Sequence, residues 1–191
     1  MTYRAEIVVA AGKQAIDPNL VQAVMEQESN YVPWAWNPEP RYRYFVNVRT
    51  RKPFRPITDA EGAAEFPPRD FPTLAGDADQ EWWGQQASWG LMQVLGAVAR
   101  EDGCTAPYLT ALCDPMTNLQ FGCQHLAGLL AWARGLYTGL ASGEVIAVQM
   151  SALAAYNGGR KGNAPDGPIR NKDYAQRVMA RYDRIRKANT P

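Results

Sequence analysis

The sequence of 191 residues has no long apolar run and no large excess of charge of either sign. Its longest uncharged apolar stretch, residues 126–133, is far shorter than the ~20 residues that a membrane-spanning helix needs. Twenty basic against nineteen acidic residues argue against a polycationic nucleic-acid binder. The apolar segment at residues 7–11 is too brief for the core of a secretory signal. We therefore expect a soluble protein with no membrane span, no nucleic-acid partner and no visible export signal.

Cysteine and histidine are also scarce, which limits metal and redox chemistry. The chain has three cysteines and one histidine, and the closely spaced cysteine pairs typical of structural zinc sites are missing. A disulfide between Cys104 and Cys113 is the alternative if the protein matures in an oxidising compartment. We expect no metal and no organic cofactor. A zinc site would have to use Cys104, Cys113, Cys123 and His125.

Apolar residues at helical spacing predict a mainly α domain. Asp17-Pro18 and Asp114-Pro115 each combine an N-cap carboxylate with a proline at the first helical position. Prolines recur between residues 37 and 87 and exclude long helices there, while residues 42–48 favour a short β-hairpin. The other predicted helices cover about 88–100, 143–156 and 172 onward, with a loop at 158–168.

Glu28 is the first candidate for chemistry. It follows Val24 by four positions and Met25 by three, so it continues the apolar face of the first helix, whereas Glu26 falls on the solvated side. Burial favours the neutral form of a carboxyl group and raises its pKa. A carboxyl that is protonated near neutral pH can act as a general acid. A buried hydrogen bond or ion pair is the alternative interpretation.

Aromatic residues mark candidate walls of a cleft. Exposed tryptophans stack on sugar rings, although packing in a core is their commoner role. Tyr156 and Asn157 end a predicted helix beside two glycines, which allow close approach to the backbone. The tryptophans at the two ends of the proline-rich stretch lie at 34, 36, 82, 83 and 89.

Five segments occur in the order found in soluble lytic transglycosylases, which belong to the lysozyme-like superfamily together with goose-type lysozyme. The resemblance rests on the combination, covers roughly residues 13–36 and 88–186, and implies a lysozyme-like α+β fold. The segments are Ile-Asp-Pro-Asn-Leu at 16–20, Glu-Ser at 28–29, Gly-Leu-Met-Gln at 90–93, Ala-Ala-Tyr-Asn-Gly-Gly at 154–159, and residues 174–178.

The resemblance also implies roles for individual residues. Glu28 matches the family's single catalytic acid/base. Tyr156 matches a tyrosine whose hydroxyl lies near the catalytic carboxyl, and Tyr174 matches an aromatic residue near the same cleft. No metal ligand is implied. The substrate-binding residues implied in this way are Ser29, Asn37, Met92, Gln93, Tyr156, Asn157 and Tyr174.

Two features depart from the family pattern. Asn37 stands where such enzymes commonly have a serine, and its amide can still donate to the carbonyl of an N-acetyl group. The stretch between Glu28 and Gly90 is longer than the family usually needs, so residues 38–84 are predicted to be an insertion in one domain spanning 1–191. Basic and aromatic residues alternate over 41–55, which fits either a solvated face or a wall that meets an anionic glycan.

The implied reaction is cleavage of the β-1,4 bond between N-acetylmuramic acid and N-acetylglucosamine in peptidoglycan, with formation of a 1,6-anhydro sugar. The alternatives are a muramidase, which hydrolyses the same bond with a second carboxylate, and a non-catalytic glycan-binding module. We expect a monomer that acts on the cell wall, in the periplasm or outside the cell, delivered as a phage endolysin or virion component or by another route. The carboxylates available to a hydrolase are Asp70, Asp77, Asp79 and Glu81.

Overall fold

The computed structural model of the chain describes residues 3–136, 142–164 and 167–189. It contains two compact units: a helical unit made of Met1–Asn30 and Gly122–Pro191, and a sheet unit made of Tyr31–Phe121. The described chain is mainly helical, as predicted. None of the helices in the described ranges is both long enough and apolar enough to cross a membrane.

The secondary-structure elements follow one another in this order: α1 (Arg4–Lys13), α2 (Pro18–Glu28), β1 (Trp36–Pro38), β2 (Val46–Asn47), β3 (Lys52–Pro53), α3 (Asp59–Ala63), α4 (Ala78–Gln85), β4 (Ala87–Trp89), β5 (Val94–Leu95), α5 (Gly96–Glu101), a 3-10 helix (Leu109–Cys113), α6 (Pro115–Gly135), α7 (Ser142–Gly158) and α8 (Lys172–Asn189).

The start of α2 is fixed by its first residues, as the sequence predicts. The Asp17 carboxylate accepts from the Asn19 backbone N–H at 2.8 Å, and Pro18 occupies the first helical position. The Tyr182 hydroxyl of α8 donates to the other carboxylate oxygen at 2.7 Å. Residues 20–25 of α2 are all buried, and the helix packs against α8. The end of α2 is thereby held beside α8.

The core of the helical unit also joins α6 to α7. Leu129 and Ala133 of α6 pack against Val148 and Ala152 of α7, and Tyr156 packs at the edge of this cluster. The predicted starts of α6 and α8 are confirmed, and α7 runs from Ser142 to Gly158. The predicted loop at 158–168 begins one residue later, and its residues 165 and 166 lie outside the described ranges.

The sheet unit contains a three-stranded antiparallel sheet in the order β1-β4-β5. Trp36 pairs with Trp89 across the first two strands, and Ser88 pairs with Leu95 across the other two. The predicted hairpin near 42–48 is present as the short pair β2–β3, with Val46 opposite Pro53. The three-stranded sheet and the helices α1 and α4 are not evident from the sequence patterns.

The predicted helix over 88–100 is wrong for residues 88–95 and is confirmed only from Gly96 onward, as α5. Gly90 and Gln93 have φ values of 69° and 47°, so the Gly-Leu-Met-Gln segment is a tight turn that joins β4 to β5. A Cβ on Gly90 would lie 2.8 Å from Cγ of Asn118, so only glycine fits this position. The helix begins only at Gly96, because the left-handed residues before it cannot continue an α-helix.

Residues 38–84 contribute an aromatic cluster of their own to the sheet unit. Phe45 stacks on Trp82 with ring centroids 3.9 Å apart, and Phe71 meets Trp82 edge-on at 5.0 Å. All three rings are buried, which gives this long segment a local core. The description of 38–84 as an insertion within one domain stays a prediction.

Glu81, the residue before Trp82 in the sequence, forms a buried ion pair with Arg100. Arg100 donates to both carboxylate oxygens of Glu81 at 2.9 and 2.6 Å, and its Nη1 donates to the carbonyls of Cys104 and Ala106 at 2.7 and 2.8 Å. Gln85 donates to the same carboxylate at 2.9 Å. Each charged group therefore has hydrogen-bond partners beyond the ion pair itself.

The disulfide between Cys104 and Cys113 that an oxidising compartment would allow is absent from the structure, in which all three cysteines are free thiols. Cys104 lies in the buried turn whose carbonyl is held by Arg100. Cys123 is buried in α6, and burial raises the pKa of its thiol to about 12. Within the described part of the chain, no group of three or more His, Cys, Asp or Glu side chains is placed to hold a metal ion.

Candidate active site

Glu28 is the last residue of α2, and its carboxyl group lies inside the helical unit. The helix ends there because Ser29 and Asn30 leave the helical conformation, Asn30 with a φ of 49°. The Ser29 hydroxyl donates back to the carbonyl of Met25 at 3.3 Å. The Tyr174 hydroxyl, from the first turn of α8, donates to Oε1 of Glu28. The packing of α2 on α8 therefore brings two of the predicted site residues together.

Burial controls the charge of the Glu28 carboxyl. Desolvation raises its pKa above the ordinary glutamate value, and the hydrogen bond from Tyr174 opposes this in part. Tyr174 is itself buried, and both its burial and the nearby Glu28 charge raise the pKa of its phenol. Tyr174 therefore stays a neutral donor while Glu28 gains and loses its proton.

Tyr156 lies close enough to Tyr174 to affect it, and its ring also neighbours that of His125. Their ring centroids are 5.4 Å apart, and Tyr156 raises the pKa of Tyr174 electrostatically. Burial, followed by the charge of Arg160, lowers the pKa of His125 to about 4. The imidazole is thus neutral at physiological pH.

Glu26 differs from Glu28 in its surroundings. Instead of being fully solvated, its carboxylate pairs with Arg184 of α8, with Nη2 and Oε2 2.6 Å apart. The two glutamates at the end of this helix therefore have different partners, an arginine for Glu26 and a tyrosine for Glu28.

The other predicted residue of this unit, Asn157, lies on the surface at the end of α7. Its Oδ1 accepts from Nδ2 of Asn171 at 2.8 Å. Asn171 also bonds to the buried Asn163. The sequence analysis missed Asn163 and Asn171, as well as the place of His125 beside Tyr156. Asn171 directly precedes a predicted helix start, and this position could have marked it as a residue with a structural role.

The remaining predicted residues belong to the sheet unit. Gln93 donates through Nε2 to the carbonyls of Ala35 and Gly90 at 3.1 and 3.0 Å, so its side chain braces the turn. Met92 is completely buried, and its backbone N–H donates to Oδ1 of Asn118 at 2.8 Å. Asn37 is exposed on β1 and donates to Glu39 at 3.2 Å. The strained φ of Gln93, a residue other than glycine, is typical of functional sites.

Comparisons with known proteins decide the family. The family model described as the transglycosylase SLT domain matches residues 6–177, most of the chain. The chain belongs to this family. The predicted resemblance to lytic transglycosylases is therefore confirmed.

A solved structure supports the fold of this SLT domain chain. The X-ray structure of an inactive mutant of the lytic transglycosylase Slt from Pseudomonas aeruginosa is similar to it, with a TM-score of 0.58 and 16% sequence identity. The match covers 100% of this chain and 25% of that one, so the chain spans only a quarter of the length of that protein. No curated protein sequence matches the chain. The lysozyme-like fold prediction is confirmed.

The tryptophans of this SLT domain chain divide into two groups. Trp82 is buried in the aromatic cluster, whereas Trp34, Trp36 and Trp83 are 73%, 56% and 44% exposed. The ring of Trp36 is tilted against that of Trp89, with the two ring centroids 6.3 Å apart. Since isolated exposed indoles are uncommon on soluble proteins, Trp34 and Trp36 are the better candidates for stacking on sugar rings.

Three of the four carboxylates considered for a hydrolase already have structural roles in the sheet unit. Glu81 is buried and paired with Arg100. Asp70 binds Arg55 at 2.7 Å, and this bond lowers the pKa of Asp70. Asp77 caps α4 by accepting from the Gln80 backbone at 2.9 Å. These three carboxylates are therefore poorly suited to act as the second carboxylate that activates water in a hydrolase.

Replacing Tyr174 by phenylalanine is expected to move the alkaline limb of the pH–rate profile to higher pH. The hydrogen bond from Tyr174 stabilises the carboxylate form of Glu28. Without this bond the pKa of Glu28 rises, so the acid stays protonated further into the alkaline range. The measurement is kcat/KM on purified sacculi as a function of pH. Tyr182→Phe is the matched control, since that hydroxyl binds Asp17 instead. A limb that stays in place or moves to lower pH would contradict the assignment.

Proposed function

We propose that this chain is a peptidoglycan lytic transglycosylase with Glu28 as its single acid/base. The bond cleaved is the β-1,4 linkage between N-acetylmuramic acid and N-acetylglucosamine. The observation that carries the proposal is a partly buried carboxyl with a raised pKa, hydrogen-bonded by Tyr174, in a chain of the SLT domain family. The similar Slt protein is a lytic transglycosylase, which supports the same reaction class for this chain.

In the first step, protonated Glu28 donates its proton to the glycosidic oxygen, and the bond from that oxygen to the muramyl anomeric carbon breaks. N-acetylglucosamine leaves with a free hydroxyl group. In the second step, the Glu28 carboxylate removes the proton of the muramyl 6-hydroxyl, whose oxygen bonds to the anomeric carbon. Glu28 regains its proton, and the product is a 1,6-anhydro sugar.

An internal nucleophile explains how one carboxyl group can suffice. The 6-hydroxyl belongs to the same sugar that is cleaved, so its effective concentration is high and no bound water is required. The Tyr174 hydrogen bond favours the carboxylate that forms after the first proton transfer, and burial favours its return to the acid. The two opposing influences suit a group that must both donate and accept a proton.

Mass spectrometry of the products tests the proposal. Digested sacculi are expected to release muropeptides that lack one water relative to reducing-end muropeptides and that borohydride does not reduce. Products that carry a reducing end and gain two hydrogens with borohydride would instead identify a muramidase. Binding to sacculi without any release of muropeptides would identify a glycan-binding module. We also propose that the chain acts at the cell wall, whereas its delivery route and monomeric state stay predictions.

A further inference from the structure

One flank of α8 carries a row of side chains that begins at the Glu28 carboxyl. Its members are three, four and three positions apart, as neighbours on a helix surface are: Tyr174, Arg177, Arg181 and Arg184. We propose that Arg177 determines specificity, because its guanidinium group binds a carboxylate on the muramyl sugar beside the cleaved bond. The inference rests on the proposed function and adds a charged recognition group to that site.

The two glutamates at the end of α2 fix this row in two places. At its start, the Tyr174 hydroxyl donates to Oε1 of Glu28. Further along, Nη2 of Arg184 lies 2.6 Å from Oε2 of Glu26, and Nε of Arg181 lies 3.5 Å from Oε1 of the same carboxylate. The row is therefore tied to the end of α2 on both sides of its second member.

Arg177 is that second member, and it differs from the other two arginines in its partners. It is exposed, and within the described ranges no carboxylate lies at ion-pair distance from its guanidinium, not even that of Asp173 four positions earlier. Its charge nevertheless acts on the site: burial and the charge of Glu28 raise the pKa of the Tyr174 phenol, and the charge of Arg177 opposes them. An arginine that no carboxylate neutralises thus stands one helical turn from the acid.

The proposed substrate carries an anion close to the bond that is cleaved. N-acetylmuramic acid has a lactyl ether on carbon 3, two ring positions from the anomeric carbon, where N-acetylglucosamine has a hydroxyl group. The lactyl carboxyl is either free or linked to a peptide that has carboxylates of its own. Since a guanidinium group can donate two parallel N–H bonds to one carboxylate, Arg177 can distinguish a muramyl sugar from N-acetylglucosamine by its charge.

The alternative is that Arg177 has a structural role or adjusts the acid. Its carbonyl accepts from Nη1 of Arg181 at 3.3 Å, and this backbone contact is kept in any substitution. The pKa of Glu28 is raised by burial and lowered by the bond from Tyr174. We therefore expect that removal of the Arg177 side chain leaves both the fold and the acid in place.

Two substitutions separate charge from shape at this position. Arg177→Gln removes the positive charge and keeps a polar side chain. Arg177→Lys keeps the charge but loses the planar pair of donors. Lys187→Gln is the matched control, because it removes one positive charge from an exposed position of the same helix, ~15 Å further along its axis.

The test is calorimetric titration in the Glu28→Gln background, with four tetrasaccharides as probes. One is the N-acetylglucosamine tetramer; the others alternate N-acetylglucosamine with a muramyl sugar whose lactyl group ends in a free carboxylate, a carboxamide or an alanyl-glutamate dipeptide. We expect the parent and the Lys187→Gln protein to bind an acidic tetramer about fivefold more tightly than the carboxamide and the N-acetylglucosamine tetramers. The tetramer with the larger gain identifies the source of the carboxylate, lactyl or peptide.

The variants and the salt concentration show whether this gain comes from Arg177. We expect Arg177→Gln to bind the acidic and the carboxamide tetramers equally, and Arg177→Lys to keep part of the preference. The preference of the parent should also shrink as sodium chloride is added, because salt screens an exposed ion pair. A merely structural role would weaken all four probes alike and would not be rescued by lysine.

The inference is overturned if the parent binds acidic and carboxamide tetramers equally, if Arg177→Gln keeps the preference, or if it weakens all four probes alike. Its failure is distinct from failure of the proposed function. Anhydro products from the unsubstituted protein without any charge preference would refute the role of Arg177 alone. A charge preference that Arg177→Gln removes, without anhydro products, would leave that role standing and refute the reaction.

Discussion

Glu28→Gln is expected to lower kcat on purified sacculi by on the order of 10³-fold or more, because one carboxyl group serves as acid in the first step and base in the second. Glutamine has nearly the same shape and can still accept from Tyr174, but it cannot transfer a proton. The measurement is muropeptide release under single-turnover conditions. Glu26→Gln is the matched control on the same helix and is expected to keep activity, since Glu26 pairs with Arg184.

The stability of the same variant separates loss of chemistry from loss of fold. Burial raises the pKa of Glu28 in the folded state, so the folded protein favours the protonated form. The stability that this group contributes is complete below the unfolded-state pKa and is lost as the pH rises through the folded-state pKa. Glu28→Gln should therefore unfold no more easily than the parent at neutral pH, and the two should converge at low pH. An inactive but clearly destabilised variant would contradict this account.

Arg100→Met is expected to reduce the free energy of unfolding by about 3–5 kcal/mol, because it leaves the Glu81 charge buried without its main partner. The carbonyls of Cys104 and Ala106 also lose their donor. Such a loss is a large part of the stability of an ordinary domain. Urea denaturation followed by tryptophan fluorescence measures it, and Trp82, next to Glu81 in the chain, is a suitable reporter.

Two comparisons make this second result specific. The double variant Glu81→Met, Arg100→Met removes both charges and should be more stable than Arg100→Met alone. Arg55→Met removes an exposed arginine that binds Asp70 and Glu61, and its effect should be much smaller because solvent screens that contact. Equal destabilisation by Arg55→Met and Arg100→Met would show that burial of the pair does not matter.

The sequence was most informative where local signals agree with tertiary packing. Asp17-Pro18 marks the start of α2, and the spacing of Val24, Met25 and Glu28 places the carboxyl at the end of a buried stripe. Both features depend on neighbours within one helix, so a single sequence contains them. The family motifs added the order of the segments.

The sequence was least informative where distant residues set the conformation. Residues 88–95 have helical spacing, but the hydrogen bonds of Asn118 with the backbone of Trp89 and Met92 favour a turn there. The partner of Glu28 lies 146 positions away, and nothing near Tyr174 in the chain shows that its hydroxyl reaches the carboxyl. The hydrogen bond between Asn171 and Asn157 likewise joins side chains 14 positions apart that only the fold brings together.

A carbon-13 NMR titration of the Glu28 side-chain carboxyl tests the proposed mechanism most directly, with the resonance assigned by its absence in the Glu28→Gln protein. We predict a midpoint clearly above that of an ordinary glutamate, since desolvation outweighs the bond from Tyr174. A midpoint at or below the ordinary glutamate range would mean that Glu28 is ionised when substrate arrives, and would contradict its role as the proton donor.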